Sequence, residues 1–512
     1  MHADVVIIGS GVGGSAVAYQ LAGTGAKVLV IERGEHLPRE MQNWDAEAVF
    51  GQLRYRTRDT WVNGQDQRYR PGQYYFVGGH TKFFGAAMFR FREADFEELR
   101  HEEGVSPAWP ISYRELEPYY EQAESLFGVR GAAGQDPTEP HRAHDYTHGP
   151  IPDEPVIARL REKLRDQGLH PFFMPASVDF GNGGKCVRCG TCDAFPCRID
   201  AKGDAEICLL RPAVKKGGVS LLTGAKVTRL LTDATGKRIC SAIAETRNET
   251  IEITADTFVL SAGAINSATL LLASANKNYP KGLANSSDAV GRFYMNHNCT
   301  AVLGIDPRSV NETRFPKTLS LNDFYFGGKH DSWPLGNIQM LGKIRAPMLR
   351  GALPWVPSKF LDYLSRHSID LYAMSEDLPS PDSRVEVTSW GQIKLTWRRT
   401  NLKPHMRLVD RTKQLLKQAG YPLVVSRRFG DDTPSHQCGT VRFGNDPKSA
   451  PLDPFCKAYD HDNLYVVDAS FFPSSAAVNP ALTVAAQALR VGEHLGRMLA
   501  CGNLSVPRVG GG

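Results

Sequence analysis

Residues 5–8 (Val5-Val6-Ile7-Ile8) are apolar without alternation, which predicts a parallel strand buried on both faces. Six residues of glycine-rich chain follow, then apolar positions at helical spacing over 15–21 and a second strand over 27–31. Strand-like runs return at 219–222, 257–260 and 463–468, and a helix-like stretch follows the second. Residues 384–387 and 393–397 alternate instead, which predicts short, half-exposed strands among Pro-rich loops. From 481 to 499 the apolar residues Leu482, Ala485, Ala486, Leu489 and Leu499 keep helical spacing without a proline. Pro480 fits the first turn of that helix and Asn479 its N-cap, while Gly492 and Gly496 weaken it yet permit close packing. No internal repeat is present, and 506–512, ending in three glycines, reads as a tail.

Composition narrows the function classes. At 512 residues, 42% hydrophobic and 22% charged, the chain has material for a large core. Its net charge of +5 is spread without a Lys/Arg block, which argues against a nucleic-acid partner. The most apolar later stretch, 258–275, is interrupted by Ser261, Asn266, Ser267 and Ser274, so no membrane span and no membrane partner are expected. With the N-terminal residues running straight into a strand, no secretory signal is expected, and a cytoplasmic, reducing setting is. Four of the ten cysteines fall between Cys186 and Cys197.

The chemistry-bearing motif of the first forty residues is Gly9-x-Gly11-x-x-Gly14, with Glu32 closing the second strand. Gly9 allows a tight turn, Gly11 lets backbone approach a pyrophosphate, and Gly14 lets the helix pack on the strand. The helix N-terminus then faces phosphates, and Glu32 can accept from ribose hydroxyls. This unit leaves FAD and NAD undistinguished.

Further segments occur in a telling order: Gly78-Gly79 before Gly85-Ala86-Ala87 and Arg90, Trp109-Pro110 before Tyr119-Tyr120, and Ser261-Ala262-Gly263-Ala264. Val290-Gly291-Arg292 then precedes Asn296-His297, His436-x-x-Gly439-Thr440 follows, and Asp468-Ala469-Ser470 leads to Asn479-Pro480-x-x-Thr483. Over essentially its full length the chain resembles the glucose–methanol–choline (GMC) family of FAD-dependent alcohol oxidoreductases. The resemblance implies an α/β fold in which a Rossmann-like FAD-binding domain (1–100, 200–300 and 430–505) is interleaved with an α+β substrate-binding domain (101–199 and 301–429). It implies His436 as the base for a substrate hydroxyl and Asn479 as the group holding the hydroxyl oxygen. Read alone, the first is a structural histidine and the second an N-cap. Gly78, Gly79, Thr81, Ala262, Asp468, Ala469, Pro480 and Thr483 join the motif glycines as expected FAD contacts. Relatives with covalent FAD carry a histidine where this chain has Phe83, so non-covalent FAD is expected, with His80 close by.

The resemblance also points to a small-molecule alcohol as substrate and to oxygen or another electron acceptor. Within the family the Cys-Val-Arg-Cys-Gly-Thr-Cys signature is similar to that of oxidases acting on the 6′-hydroxyl of paromamine-type aminoglycosides. A cationic aminosugar would need acidic groups, for which Glu376, Asp377 and Asp382 are candidates beside the bland reading of a solvated charged loop. Oxidation of a neutral sugar or glycoside by a dehydrogenase is the rival, and a non-redox FAD lyase of the same fold a third reading. The spacing Cys186-x-x-Cys189-x-x-Cys192-x-x-x-x-Cys197 departs from the ferredoxin run in its last gap. Structural thiols or a disulfide are favoured there over a metal or cluster.

Overall fold

A computed structural model describes residues 1–328, 331–351, 353–433 and 436–501; the tail at 506–512 lies outside them. A seven-stranded sheet runs in the order Val219–Leu222, Val28–Ile31, His2–Ile8, Thr250–Leu260, Ile239–Glu245, Lys226–Thr232, and Leu464–Val466 also pairs with Thr250–Leu260. The long strand Thr250–Leu260 explains how one sheet holds two kinds of pairing. Its first half alternates in burial and pairs antiparallel, Ser241 opposite Thr254. Its last four residues, Thr257-Phe258-Val259-Leu260, are buried throughout and pair parallel with His2–Ile8 on one side and Leu464–Val466 on the other. The N-terminal and C-terminal ends of the chain thereby meet in one sheet.

Helix Val12–Leu21 packs on helix Ala481–Ala500. A Cβ on Gly492 would lie 2.8 Å from the Gln20 Cβ, so this glycine sets how closely the two helices approach. Gly496 has only Leu21 Cδ2 near it, at 3.8 Å, and does not limit the packing.

The second sheet is wholly antiparallel, in the order Leu423–Arg428, Asn298–Ile305, Ser368–Ser375, Asn337–Met340, Leu319–Leu321, Phe172–Phe173. Helices Pro155–Asp166 and Leu402–Gln418 cover one face, where Val302, Leu371 and Ala373 meet Leu160, Leu164, Leu408 and Leu416. Ala301, Leu303 and Tyr372 alternate with these residues and look into the cavity described below. Two segments sit across the expected division at residue 100. Strand Trp61–Asn63 pairs with Ile393–Thr396 in a separate four-stranded sheet. Helix Tyr113–Leu126 joins the first core, where the Tyr120 hydroxyl lies 2.7 Å from Thr483 Oγ1. No helix among the described residues is long and apolar enough to cross a membrane.

Candidate active site

A cavity of about 1230 Å³ extends from the carboxyl ends of the parallel strands to the open face of the second sheet. Drug-sized ligands fill roughly 300–1,000 Å³, so the space suits something larger, such as a dinucleotide with a second molecule. Three helices, Val12–Leu21, Ala264–Ala273 and Ala481–Ala500, begin at its wall and present backbone N–H groups and the positive ends of their dipoles.

The glycines of the first turn divide the labour as their backbone requires. Gly9 has φ +104°, and a Cβ there would lie 2.2 Å from the Ser261 carbonyl oxygen. A Cβ on Gly14 would lie 2.1 Å from the Gly9 carbonyl oxygen, and the Gly14 N–H donates to Ser261 Oγ at 2.7 Å. Gly11 differs: its Cβ would meet nothing within 4 Å, because it faces the cavity. Glu32 stands beside this turn. Its Oε2 accepts from the Ser10 N–H and hydroxyl at 3.1 and 2.6 Å and its Oε1 from the Gly34 N–H at 2.9 Å. Burial raises its pKa, with those hydrogen bonds opposing. Across the turn, Asp468 accepts from the Gly263 N–H, the Ser267 hydroxyl and the Ser470 N–H at 3.0, 2.5 and 2.9 Å. It ties the last strand to the start of the second helix.

At the other end of the cavity the structure brings His436 and Asn479 together, His436 Nε2 to Asn479 Nδ2 at 3.2 Å. Both line the cavity, although 43 residues separate them in sequence. His436 has φ +65°, a left-handed conformation that costs a non-glycine residue free energy and is commonest at functional positions. Asn479 does not cap its helix: that helix starts on Pro480 with no side-chain cap, and Asn479 Oδ1 accepts from Gln339 Nε2 at 2.9 Å. On its far side, His436 Nδ1 lies 2.8 Å from His297 Nδ1. Burial holds the His436 pKa well below the imidazole range, and the neighbouring His297 and Lys317 lower it further. A neutral imidazole with one nitrogen on the cavity, beside an amide, is an arrangement able to take a proton from a hydroxyl group.

Profiles of the GMC oxidoreductase family match residues 3–299 and 379–488. The chain belongs to the GMC oxidoreductase family. It is therefore an oxidoreductase of a flavoprotein family. It is 29% identical to the 6'''-hydroxyparomomycin C oxidase of Streptomyces lividus over 97% of this chain and 92% of that protein. It is likewise 29% identical to the paromamine 6'-oxidase of Streptomyces fradiae, over 95% of this chain and 90% of that one. Among solved structures it is similar to pyridoxine 4-oxidase from Mesorbium loti, with TM-score 0.68 at 18% identity, covering 96% of this chain and 99% of that one. That likeness shows the GMC fold.

The GMC cofactor fits the residues present. The cavity-facing Gly11 backbone, the three helix N-termini and Glu32 form a cradle for a pyrophosphate and its ribose. Gly9, Gly79, Thr81, Ala262, Ala469 and Pro480 also line the cavity, as does His80. Three expected contacts do not. Gly14 packs behind the turn, and Gly78, at φ +90°, donates its N–H to Ser10 Oγ at 3.1 Å. Thr483 is turned away to Tyr120. Bound in the cradle, FAD would supply the hydride acceptor; His436 and Asn479 would handle the hydroxyl proton and its oxygen.

The acidic candidates for an aminosugar need correction. Glu376 and Asp377 are enclosed in protein and do not line the cavity. Glu376 is held by His101 Nε2 at 3.1 Å, the Ala476 N–H at 3.2 Å and the Ser106 hydroxyl. Asp377 accepts from Asn296 N–H, Trp397 Nε1, Thr400 N–H and Thr400 Oγ1 at 2.7–3.1 Å. Acids this deep in a chain are stable only with such partners; they take up all four acceptor sites of Asp377 and three of Glu376, and both side chains face protein rather than the cavity. Asp382 is exposed and pairs with Arg398 at 2.7 Å.

All ten cysteines are free. The loop carrying Cys186, Cys189, Cys192 and Cys197 is pinned by Lys202, whose Nζ donates to the carbonyls of Phe84, Cys192 and Phe195 at 2.8, 3.2 and 2.8 Å. Burial pushes the Cys192 thiol up to about 12, so it is protonated at neutral pH. Among the described residues, the only cluster of three His, Cys, Asp or Glu donors close enough to share a metal is His2, Asp4 and Asp256, far from the cysteines in sequence.

Reading the sequence assigned no role to His297, Gln339, Ser10 or Lys317, although His297 stood in one of the segments that carry the family resemblance. Ser10 sits inside the glycine motif, and its contact with Glu32 follows from the turn itself. The roles of His297 and Gln339 depend on contacts 139 or more residues away, for which spacing carries no mark.

Proposed function

We propose that the chain oxidises a CH–OH group of a sugar-type alcohol to a carbonyl with non-covalent FAD, His436 taking the hydroxyl proton and Asn479 holding the oxygen. The observation that carries this reading is the His436–Asn479 pair at one end of a cavity whose other end is the glycine cradle. Phe83 supports the non-covalent part, being buried and stacked on Tyr74 with ring centroids 4.0 Å apart. For the substrate, similarity to the two aminoglycoside oxidases favours a primary 6′-hydroxyl of a paromamine-type compound. The enclosure of Glu376 and Asp377 favours a second reading, a neutral sugar or glycoside, since the carboxylates expected to hold a cation are occupied.

The test is anaerobic flavin bleaching with a panel of sugars, glycosides and aminoglycosides, followed by admission of oxygen and a peroxide assay. Bleaching with peroxide on reoxidation identifies an oxidase, and bleaching without it a dehydrogenase using another acceptor. His436→Ala is expected to keep FAD and lose bleaching. Wild-type bleaching in that variant, or product formed while the flavin stays oxidised, would overturn the reading.

A further inference from the structure

Two hydrogen-bond chains converge on the contact between His436 and Asn479, and each is anchored at a group that can act in only one sense. The first begins at Asp136, whose carboxylate is held by Arg92 and accepts from Asn322 Nδ2 at 2.8 Å. A carboxylate accepts only, so Asn322 must present its amide nitrogen there. Its Oδ1 is then left to accept from Asn337 Nδ2 at 2.7 Å. The Asn337 Oδ1 accepts from Gln339 Nε2 at 2.9 Å, and the second hydrogen of that same nitrogen goes to Asn479 Oδ1 at 2.9 Å. Asn479 is thereby forced to turn its Nδ2 to His436 Nε2.

The second chain begins at two backbone carbonyls. Those of Ser475 and Ala476 lie 3.0 and 2.8 Å from His297 Nε2, which must therefore carry a hydrogen. Burial keeps His297 neutral, so its Nδ1 is an acceptor and the hydrogen between the two rings sits on His436 Nδ1. In neutral His436 the remaining nitrogen, Nε2, is then bare. The two chains agree: a bare Nε2 faces an amide N–H. Asn337 and Gln339 lie two apart on one strand, so both side chains share one face of the second sheet and reach the site from it.

We propose that Gln339 and His297 are positioning residues, Gln339 fixing the amide orientation of Asn479 and His297 fixing the tautomer that keeps His436 Nε2 unprotonated and so able to accept a proton. The inference rests on the reading of His436 as the base, but its orientation part is measurable without turnover. Swapping the Asn479 amide would put two lone pairs face to face at Nε2. Moving the His436 hydrogen to Nε2 would leave no base on the cavity side.

Three measurements test this in the FAD-loaded enzyme. Nitrogen-15 NMR of histidine-labelled wild type, with the His436 signal found by its loss in His436→Gln, is expected to show Nδ1 protonated and Nε2 bare. Gln339→Met, which cannot donate, is expected to slow flavin reduction by about 100-fold at every pH, the scale of a misplaced reacting group. Gln339→Glu distinguishes orientation from packing. A protonated carboxyl can still donate to Asn479 whereas a carboxylate cannot, so reduction is expected to fall as pH rises in this variant alone. An Nε2-protonated His436 in wild type overturns the proposal whether or not any substrate is turned over. So does wild-type reduction in Gln339→Met, or a pH profile in Gln339→Glu parallel to that of wild type. Should either variant fail to load FAD, the wild-type spectrum decides.

Discussion

A neutral His436 has consequences for pH that its position alone dictates. Burial depresses its pKa well below the ordinary 6.5, so between that lowered value and about 6.5 the unfolded chain holds a proton that the folded chain does not. Stability contributed by this residue is therefore complete above pH 6.5 and lost as pH falls below it. Relative to wild type, His436→Gln is expected to gain up to about 1.4 kcal/mol for each pH unit below 6.5 and nothing above it. Paired urea titrations between pH 5 and 8 read the difference directly; a constant offset across the range would contradict the burial argument. The same depression keeps the base unprotonated in mild acid, so flavin reduction is expected to stay level from pH 6 to 9. That His436 and Asn479 form a pair was expected from the family resemblance, and the structure brings the two together. Their protonation and orientation were not legible, because we assign these to Asp136, Asn322, Asn337, Gln339 and His297, polar residues that, apart from the link between Asn337 and Gln339 on one strand, find their partners far away in sequence or on other elements. Asn479 was legible as an N-cap too, and tertiary structure took its side chain away from that role.

At the level of elements, the unbroken apolar runs were reliable guides because a strand buried on both faces has no other pattern to adopt. Residues 384–387 fold as the expected strand, and the helix expected over 481–499 runs Ala481–Ala500. The second sheet was largely illegible: Asn298–Ile305 and Ser368–Ser375 are buried on both faces yet carry Asn298, Thr300, Asp370 and Ser375, whose side chains bond across the core. Among the glycines of the first turn, the structure separates two duties that the motif states as one. Gly14→Ala would drive a methyl to 2.1 Å from the Gly9 carbonyl oxygen, and the helix must move off its strand. The expected cost is at least about 1–3 kcal/mol, the range for overpacking. Gly11→Ala adds its methyl to open cavity, so stability without flavin should change by less than about 0.5 kcal/mol. Its FAD affinity is expected to fall at least about tenfold, a loss of roughly 1.4 kcal/mol. Denaturation of the flavin-free proteins and FAD titration together check the pair. Equal loss of stability in both would mean that the cavity does not reach Gly11.

Over the whole molecule, the charge lining the cavity bears on which alcohol enters it. Five carboxylates line it, and each is engaged: Glu32 by Ser10 and Gly34, Asp468 by Gly263 and its neighbours, Asp59 by Arg33, Asp193 by Lys317, and Asp432 by Arg56. Six Lys and Arg side chains line it as well, and Lys226, Arg427 and Arg428 have no carboxylate partner among the described residues. Apart from Arg427 and Arg428, the wall formed by the second sheet and the segment after it is largely apolar, with Ala301, Leu303, Leu341, Ile344, Met348 and Phe429. Such a surface offers hydrophobic contact and positive potential but no free acid, and a polycation entering it meets repulsion without a compensating pair. A neutral glycoside, or an aminoglycoside whose amines are acetylated, is therefore expected to reduce the flavin with a higher kcat/KM than the corresponding free amine at low ionic strength. Added salt should narrow that gap, since screening weakens the repulsion but leaves apolar contact intact. If the free amine is instead preferred, and salt erodes that preference, an acidic group must reach the substrate from outside this lining. Arg427→Gln then separates the two cases, because removing an unpaired cation at the cavity wall should raise kcat/KM for amines and leave neutral glycosides nearly unchanged.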